Sequence, residues 1–255
     1  MRIAALVFDV DGTLADTEEA HRVAFNMAFE RMHLGWQWNR TEYLRLLQVA
    51  GGKERLAAFI RSLQVPAAER RRLLGLVAAV HAEKTKFYCS VVQDGAVPLR
   101  DGVVRLLSEA RSAGCRLAIA SASATASVHA LLRSALGPSG LELFSVIACG
   151  DEVPAKKPAP DVYELALQRL GVRHDQAVAF EDSTHGLLAA DAAGLWTVVT
   201  PTMWTAAGHF DLAGLLLPRL GDPWRPLRGE PGALLHDRSW LTFDELATRL
   251  SSPAR

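Results

Sequence analysis

Asp9 and Asp11 flank Val10 in the segment Asp9-Val10-Asp11-Gly12-Thr13, directly after the short apolar run of residues 3–8. Alternation along an extended chain turns the two carboxylates in related directions while Val10 packs behind them. Gly12 permits a sharp exit that bares backbone N–H groups. Two carboxylates this close at the mouth of an apolar strand repel each other, and a divalent cation relieves that repulsion. The competing interpretation is that they only end the strand and cap the next element. Three later segments carry matching groups. Ser121 follows the run 116–120 and offers a hydroxyl to a phosphoryl oxygen. Lys157 precedes Pro158, which favours extended backbone and directs the ammonium toward the same place. Glu181-Asp182 follow the run 177–180 and add hard oxygen ligands. Taken singly, a strand-end serine reads as a helix cap and a Lys-Pro pair as a surface turn. Together, nucleophile, hydroxyl, ammonium and metal ligands at four strand ends make a site for phosphoryl transfer whose charges nearly balance.

The elements that must position these groups are short apolar runs at 3–8, 116–120, 146–148, 177–180 and 196–200. Helix-like stretches lie between them at 103–113, 125–134, 161–170 and 186–193. Strand alternating with helix predicts a parallel sheet covered on both faces, with its chemistry beyond the carboxyl ends of the strands. Residues 17–90 break that rhythm with successive helix-like segments and no strand. Ala20, Ala24, Phe25, Ala28 and Met32 share one face of a first helix, and Leu73, Leu74, Val77, Val80 and His81 mark another. This block is expected to be a helical domain inserted into the sheet domain, giving a core of 1–16 plus 91–255 and a cap of 17–90. Its connections near Asp16 and at 93–99 are natural hinges. Beyond Pro201, residues 221–226 form a turn-rich excursion and 243–250 a closing helix, while Trp204, Trp224 and Trp240 are expected to cover the edge of the core.

A chain of 255 residues with 49% hydrophobic content can bury a core without disulfides or a structural metal. Lys plus Arg and Asp plus Glu both number 28, so there is no cationic excess for a nucleic-acid partner. Cys89, Cys115 and Cys149 lack metal-ligand spacing and read as small buried hydrophobes in a reducing compartment. No apolar run approaches the roughly 18 residues of a membrane span, so no membrane partner is expected and the cytoplasm is the expected location.

The segments DVDGTLADTE at 9–18, IASAS at 119–123, KKPAPDVY at 156–163 and FEDSTHG at 180–186 resemble the haloacid dehalogenase-like hydrolase superfamily. Within it the chain is most similar to the beta-phosphoglucomutase-like branch, and there to the CbbY-type xylulose-1,5-bisphosphate phosphatases. The finer likeness rests on Gly51-Gly52-Lys53-Glu54-Arg55 and the doubled Lys156-Lys157. The resemblance implies an α/β fold, a Rossmann-like open parallel sheet core with an inserted all-helical cap domain. It implies a Mg²⁺-dependent sugar-bisphosphate phosphatase in which Asp9 becomes an aspartyl-phosphate and Asp11 exchanges protons with the leaving oxygen and with water. Mg²⁺ would be held by Asp9, the backbone carbonyl of Asp11, and Asp182, with Glu181 bound directly or one shell out. Ser121 and Lys157 would bind the phosphoryl group, and a small phosphorylated sugar would be the partner of a monomer or weak oligomer.

Substrate discrimination then falls to the cap, where Glu18, His21, Lys53 and Arg55 are the candidates, with Lys84 or Lys86 beside them. In the resembling family the Gly51–Arg55 loop faces the core; without that likeness, Lys53 and Arg55 read equally well as solvated charges at a helix start. His21 is either a positioning group or a packed helix histidine. Two departures from the family pattern touch substrate choice: Ser123-Ala124-Thr125-Ala126-Ser127 lacks an amide side chain, and His185 stands where an Asn is common. A phosphomutase acting on a hexose phosphate shares the phosphoaspartate chemistry and is the rival enzyme. A noncatalytic sugar-phosphate sensor is the rival of another class, disfavoured because sensing has no need of both Asp9 and Asp11.

Overall fold

The computed structural model describes residues 3–95, 97–229, 235 and 239–251 of the 255. Six parallel strands form one sheet in the order β3-β2-β1-β4-β5-β6. They are β1 (Ala5–Phe8), β2 (Arg116–Ala120), β3 (Val146–Ala148), β4 (Ala177–Glu181), β5 (Trp196–Val199) and β6 (Leu215–Leu216). The chain steps outward from β1 to β2 and β3, then crosses to the other side for β4, β5 and β6. The order therefore reverses at β1, and the crevice beyond the carboxyl ends of β1 and β4 is where such sheets bind ligands. Phe8 is level with Ile119 on one side and Phe180 on the other, so the residues just past all three strands emerge at one edge. β6 went unpredicted because two residues carry no periodicity.

Side chains alternate across the sheet, and the two faces differ in bulk. Leu6, Phe8, Leu117, Ile119, Val178 and Phe180 face one cluster, where Phe8 stacks on Phe180 with ring centroids 4.4 Å apart. Helices α6 (Val103–Ser112), α7 (Thr125–Leu136) and α10 (Phe243–Ser251) contribute to this cluster. The opposite face is mostly alanine: Ala5, Ala118, Ala120, Ala177 and Ala179 beside Val7. Small side chains let α8 (Asp161–Leu170) and α9 (Thr184–Ala192) lie close to the sheet, and the approach of α8 brings Tyr163 to the end of β4.

The inserted cap holds α1 (Glu18–Arg31), α2 (Arg40–Leu46), α3 (Gly52–Ser62), α4 (Ala67–Gly75) and α5 (Val77–Gln93). Its interior is aromatic. Trp38 is fully buried and meets Phe29 and Phe59 edge-on, at centroid distances of 4.9 and 5.3 Å. The Asn26 amide fixes this turn by donating to the Trp38 carbonyl and accepting its N–H. The expected helix through Leu73 and His81 is two helices, because Gly75, a poor helix former, ends α4 and the chain restarts at Val77. At the cap's base, Ala20, Ala24, Tyr88 and Val92 join the core cluster. The two connections run side by side, bridged antiparallel at Ala15 and Leu99; the expected hinge at 93–99 includes residue 96, which lies outside the described residues.

The C-terminal region corrects one expectation. Trp224 is 77% exposed, whereas Trp204 is buried in the aromatic cluster of the cap rather than at the edge of the core. The excursion around Asp222 serves α6: the buried Asp222 carboxylate accepts the N–H of Gly102 at 2.6 Å and Arg105 Nε at 3.0 Å. These are the unpaired donors of a helix start and a cation one turn in. Among the described residues no helix is long and apolar enough to cross a membrane.

Candidate active site

The strand ends deliver their neighbouring residues to one cavity. Asp9 lies just past β1, Ser121 just past β2, and Glu181-Asp182 close β4. Lys157 comes from the loop before α8 and is 4% exposed. Its ammonium donates to Asp9 Oδ1 at 2.7 Å, Glu181 Oε1 at 2.6 Å and the Ala120 carbonyl at 2.8 Å, which uses all three protons. Burial works against its charge, but Asp9 and Glu181 hold its pKa well above the ordinary lysine value. Tyr163 donates its hydroxyl to the same Glu181 oxygen at 2.6 Å. Glu181 is thereby a fixed anchor for Lys157.

Asp9, Glu181 and Asp182 each offer a carboxylate oxygen within 4.8 Å of the others, and all three are buried. Burial pushes Asp9 up to about 8 against the pull of Lys157, and Glu181 and Asp11 add to the rise. Asp182 is raised well above its usual range by burial and by the charges of Asp9 and Glu181. Three hard anionic oxygens that repel one another in a dry site fit a small divalent cation. The approach is tight enough to dictate sequence. A Cβ at Gly12, whose φ is +83°, would fall 2.1 Å from Asp182 Oδ2, and one at Gly186 would fall 1.8 Å from Glu181 Oε2.

Asp11 faces away from that cluster. Its carboxylate accepts the Thr17 hydroxyl at 2.6 Å and His21 Nε2 at 2.9 Å on one oxygen, and the Ser123 hydroxyl on the other. Burial alone would raise its pKa; the hydrogen bonds from His21, Ser123 and Thr17 work against this, and its pKa lies well below the carboxylate range. Behind it, Lys84 Nζ lies 2.7 Å from His21 Nδ1. An ammonium can only donate, so Nδ1 accepts and Nε2–H points at Asp11. Burial and Lys84 keep His21 below its ordinary pKa, consistent with that neutral ring. His21 stacks on Tyr88 at 4.0 Å, and burial brings Lys84 down to about 8.

The remaining cap candidates form a second chain. Tyr43 donates its hydroxyl to Glu18 at 2.8 Å and accepts from Arg55 at 3.0 Å, and the Arg55 guanidinium lies over the Tyr43 ring. Glu18, His21, Lys53, Arg55 and Lys84 all line the cavity, whose volume is about 400 Å³. Lys86 does not: it is exposed and paired with Glu83. Ser121 is fully buried, and its Oγ accepts the Ser123 N–H at 3.1 Å. Sequence reasoning missed Ser123, Thr205, Tyr163 and His81 as site residues. Ser123 alone carried a signal, two residues beyond Ser121 after the same strand.

The site therefore has an acidic floor at the sheet, a cationic wall on the cap, and the hydrogen-bonded Asp11 carboxylate between them. That arrangement, on this strand order, defines a phosphohydrolase with a helical cap over a parallel sheet. The chain matches the family model for haloacid dehalogenase-like hydrolases over residues 3–194 and belongs to that family; it is a phosphoric monoester hydrolase. It is 48% identical over 230 residues to the plasmid-encoded CbbY protein of Cupriavidus necator, covering 90% of this chain and 91% of that one. It also matches the crystal structure of CbbY from Rhodobacter sphaeroides in complex with phosphate. That match has a TM-score of 0.79 and 44% identity, covering 85% of this chain and 94% of that chain. A mutant of that CbbY, in complex with xylulose-(1,5)bisphosphate, is equally similar.

Proposed function

We propose that this enzyme dephosphorylates a small sugar bisphosphate, xylulose-1,5-bisphosphate or a close analogue, through an aspartyl-phosphate on Asp9. The observation that carries the reading is the division of labour between two carboxylates only two residues apart. Asp9 bonds to Lys157 within the carboxylate cluster, and Asp11 is bonded to the cap through His21 and Thr17.

In the first half-reaction an Asp9 oxygen attacks phosphorus and the bond from phosphorus to the sugar oxygen breaks. Asp11 gives its proton to that departing oxygen. In the second, water attacks the phosphorus, Asp11 takes the proton back, and the Asp9–phosphorus bond opens to release phosphate. Asp9, Asp182 and the Asp11 backbone carbonyl would hold Mg²⁺, with Glu181 reaching it directly or through its neighbours; bound there, the ion supplies positive charge opposite the phosphoryl oxygens. Lys157 supplies the protein's own positive charge, and Ser121 orders the loop carrying Ser123. Asp11 can act as an acid only if some of its three donors let go. Thr17 and His21 belong to the cap side, so movement of residues 17–90 about their two connections would change its proton affinity. Lys53 and Arg55 on the cavity wall match the charge of a second, remote phosphate. The reading has the enzyme working in the cytoplasm as a monomer or weak oligomer.

The test is phosphate release from xylulose-1,5-bisphosphate with Mg²⁺, run beside beta-glucose-1-phosphate with a bisphosphate primer. Rapid release from the first and no isomerisation of the second is the expected result. Isomerisation of the second would make the chain a mutase, and turnover of neither would leave only binding. Asp9→Asn should abolish turnover; full activity in that variant overturns the nucleophile assignment.

A further inference from the structure

The loop that leaves β5 touches three parts of the molecule at once. Arg100, just past the second cap connection, donates to the carbonyls of Thr200 at 2.6 Å and Pro201 at 3.2 Å. The same guanidinium donates to the Gly12 carbonyl in the Asp9 loop. Three residues beyond Pro201, the Trp204 ring enters the cap. It is 7% exposed and meets Tyr43 edge-on, with centroids 5.9 Å apart and planes at 88°. Tyr43 is the residue that bonds Glu18 and Arg55 on the cavity wall.

The next side chain goes the other way. Thr205 lines the cavity and places Oγ1 3.1 Å from Asp182 Oδ2. Its hydroxyl also accepts the Thr202 N–H at 2.9 Å, and the Trp204 N–H donates to Thr202 Oγ1 at 3.1 Å. With Thr202 N–H filling one lone pair, the Thr205 proton is directed at the carboxylate. Consecutive residues in a closed turn thus grip the cap's aromatic core and a carboxylate of the sheet.

We propose that Thr205 is a positioning residue for Asp182, and that Trp204 sets Thr205 from the cap, so that seating the cap and aligning Asp182 for its cation are one event. The inference rests on the Mg²⁺-binding role given to Asp182 above. A carboxylate ligand is held by its outer hydrogen bonds, and loss of one costs roughly tenfold or more in metal affinity. Bulk packing alone does not require the tryptophan to neighbour the residue that bonds the carboxylate.

The experiment is Mg²⁺ binding by calorimetry to the full chain without substrate, with melting temperature measured on each variant. Thr205→Val should weaken Mg²⁺ binding about tenfold, and Thr205→Ser, which keeps the hydroxyl, should restore it. Trp204→Ala should weaken Mg²⁺ binding several-fold although the indole does not line the site. Trp204→Phe should keep most of the affinity, and serves with Trp204→Leu if the alanine variant does not fold. The double variant Trp204→Ala/Thr205→Val should bind no worse than Thr205→Val alone. A Trp204→Ala chain that melts lower but binds Mg²⁺ like the parent would reduce the tryptophan to packing and sink the linkage. Losses that multiply in the double variant would do the same. Absence of Mg²⁺ binding by the unaltered chain would overturn the linkage together with the metal role beneath it, whereas normal parental binding with indifferent variants overturns the linkage only.

Discussion

Replacing Lys157 with methionine keeps the length of the side chain and removes the cation that bonds both Asp9 and Glu181. The two ion pairs are among the least exposed in the protein, with side chains 4%, 8% and 1% accessible for Lys157, Asp9 and Glu181. Breaking a buried pair by removing one partner costs about 3–5 kcal/mol, because the remaining charge has neither water nor a partner. Asp9 softens that cost by taking a proton, because burial and its acidic neighbours favour its neutral form once the lysine is gone. Glu181 retains the Tyr163 hydroxyl but loses its cation, and the Ala120 carbonyl loses its donor. A net loss of about 3 kcal/mol lowers the melting temperature of a chain this size by roughly 6–12 °C. Adding Glu181→Gln removes the second charge while leaving an acceptor for Tyr163, so the double variant should regain half or more of the loss. Thermal unfolding near neutral pH reads both numbers, and phosphate release reads the loss of catalysis. If Lys157→Met melts within about 2 °C of the parent, or Glu181→Gln restores nothing, then the lysine is not the charge that holds this cluster together.

Asp11→Asn keeps the shape and most of the hydrogen bonds, so kcat should fall by two orders of magnitude or more while KM changes little; equal damage to both would point to binding or folding instead. Lys84 has a folded pKa of about 8 against an ordinary 10.5. Between those values the unfolded chain holds more protons than the folded one, so stability rises with pH through that window. Below it the folded state carries a cost on the order of 3 kcal/mol. Urea midpoints from pH 7 to 10 should climb for the parent and stay flatter for Lys84→Met; parallel curves would refute the shift. Chelation with EDTA should stop turnover and excess Mg²⁺ should restore it, with the fold intact by circular dichroism in both states, because Lys157 already offsets part of the acidic charge.

Sequence made legible the residues that lie within a few positions of a strand end. A strand buried on both faces is a continuous apolar run, so residues 3–8, 116–120 and 177–180 announced themselves, and Asp9, Ser121 and Asp182 could be read off their tips. Lys157 was readable only as one member of that set. Groups whose role depends on distant partners were not visible. Ser123 meets Asp11 across 112 positions of chain, and Arg100 meets Thr200 across 100. Nothing in the neighbourhood of either marks the encounter. The cap was recognisable as helical, yet the break at Gly75 was lost because apolar spacing ran through it. Trp204 was assigned to the sheet side by its position in the chain, when its ring is spent in the helical insert some 160 residues earlier, beside Tyr43.

β1 stands between β2 and β4, and has no partner closer in sequence than residue 116. The strand that carries Asp9 is therefore born alone. While the chain emerges from the ribosome, the helices of 18–93 can associate among themselves through Phe25, Phe29, Trp38 and Phe59 long before β4 exists to flank the other side. Glu181 and Asp182 arrive with β4, and Thr205 after them. Hydrolytic competence thus appears at the close of synthesis, and a stalled or shortened product ending before residue 177 would be a folded helical knob joined to a three-stranded half-sheet whose β1 edge lies open and sticky.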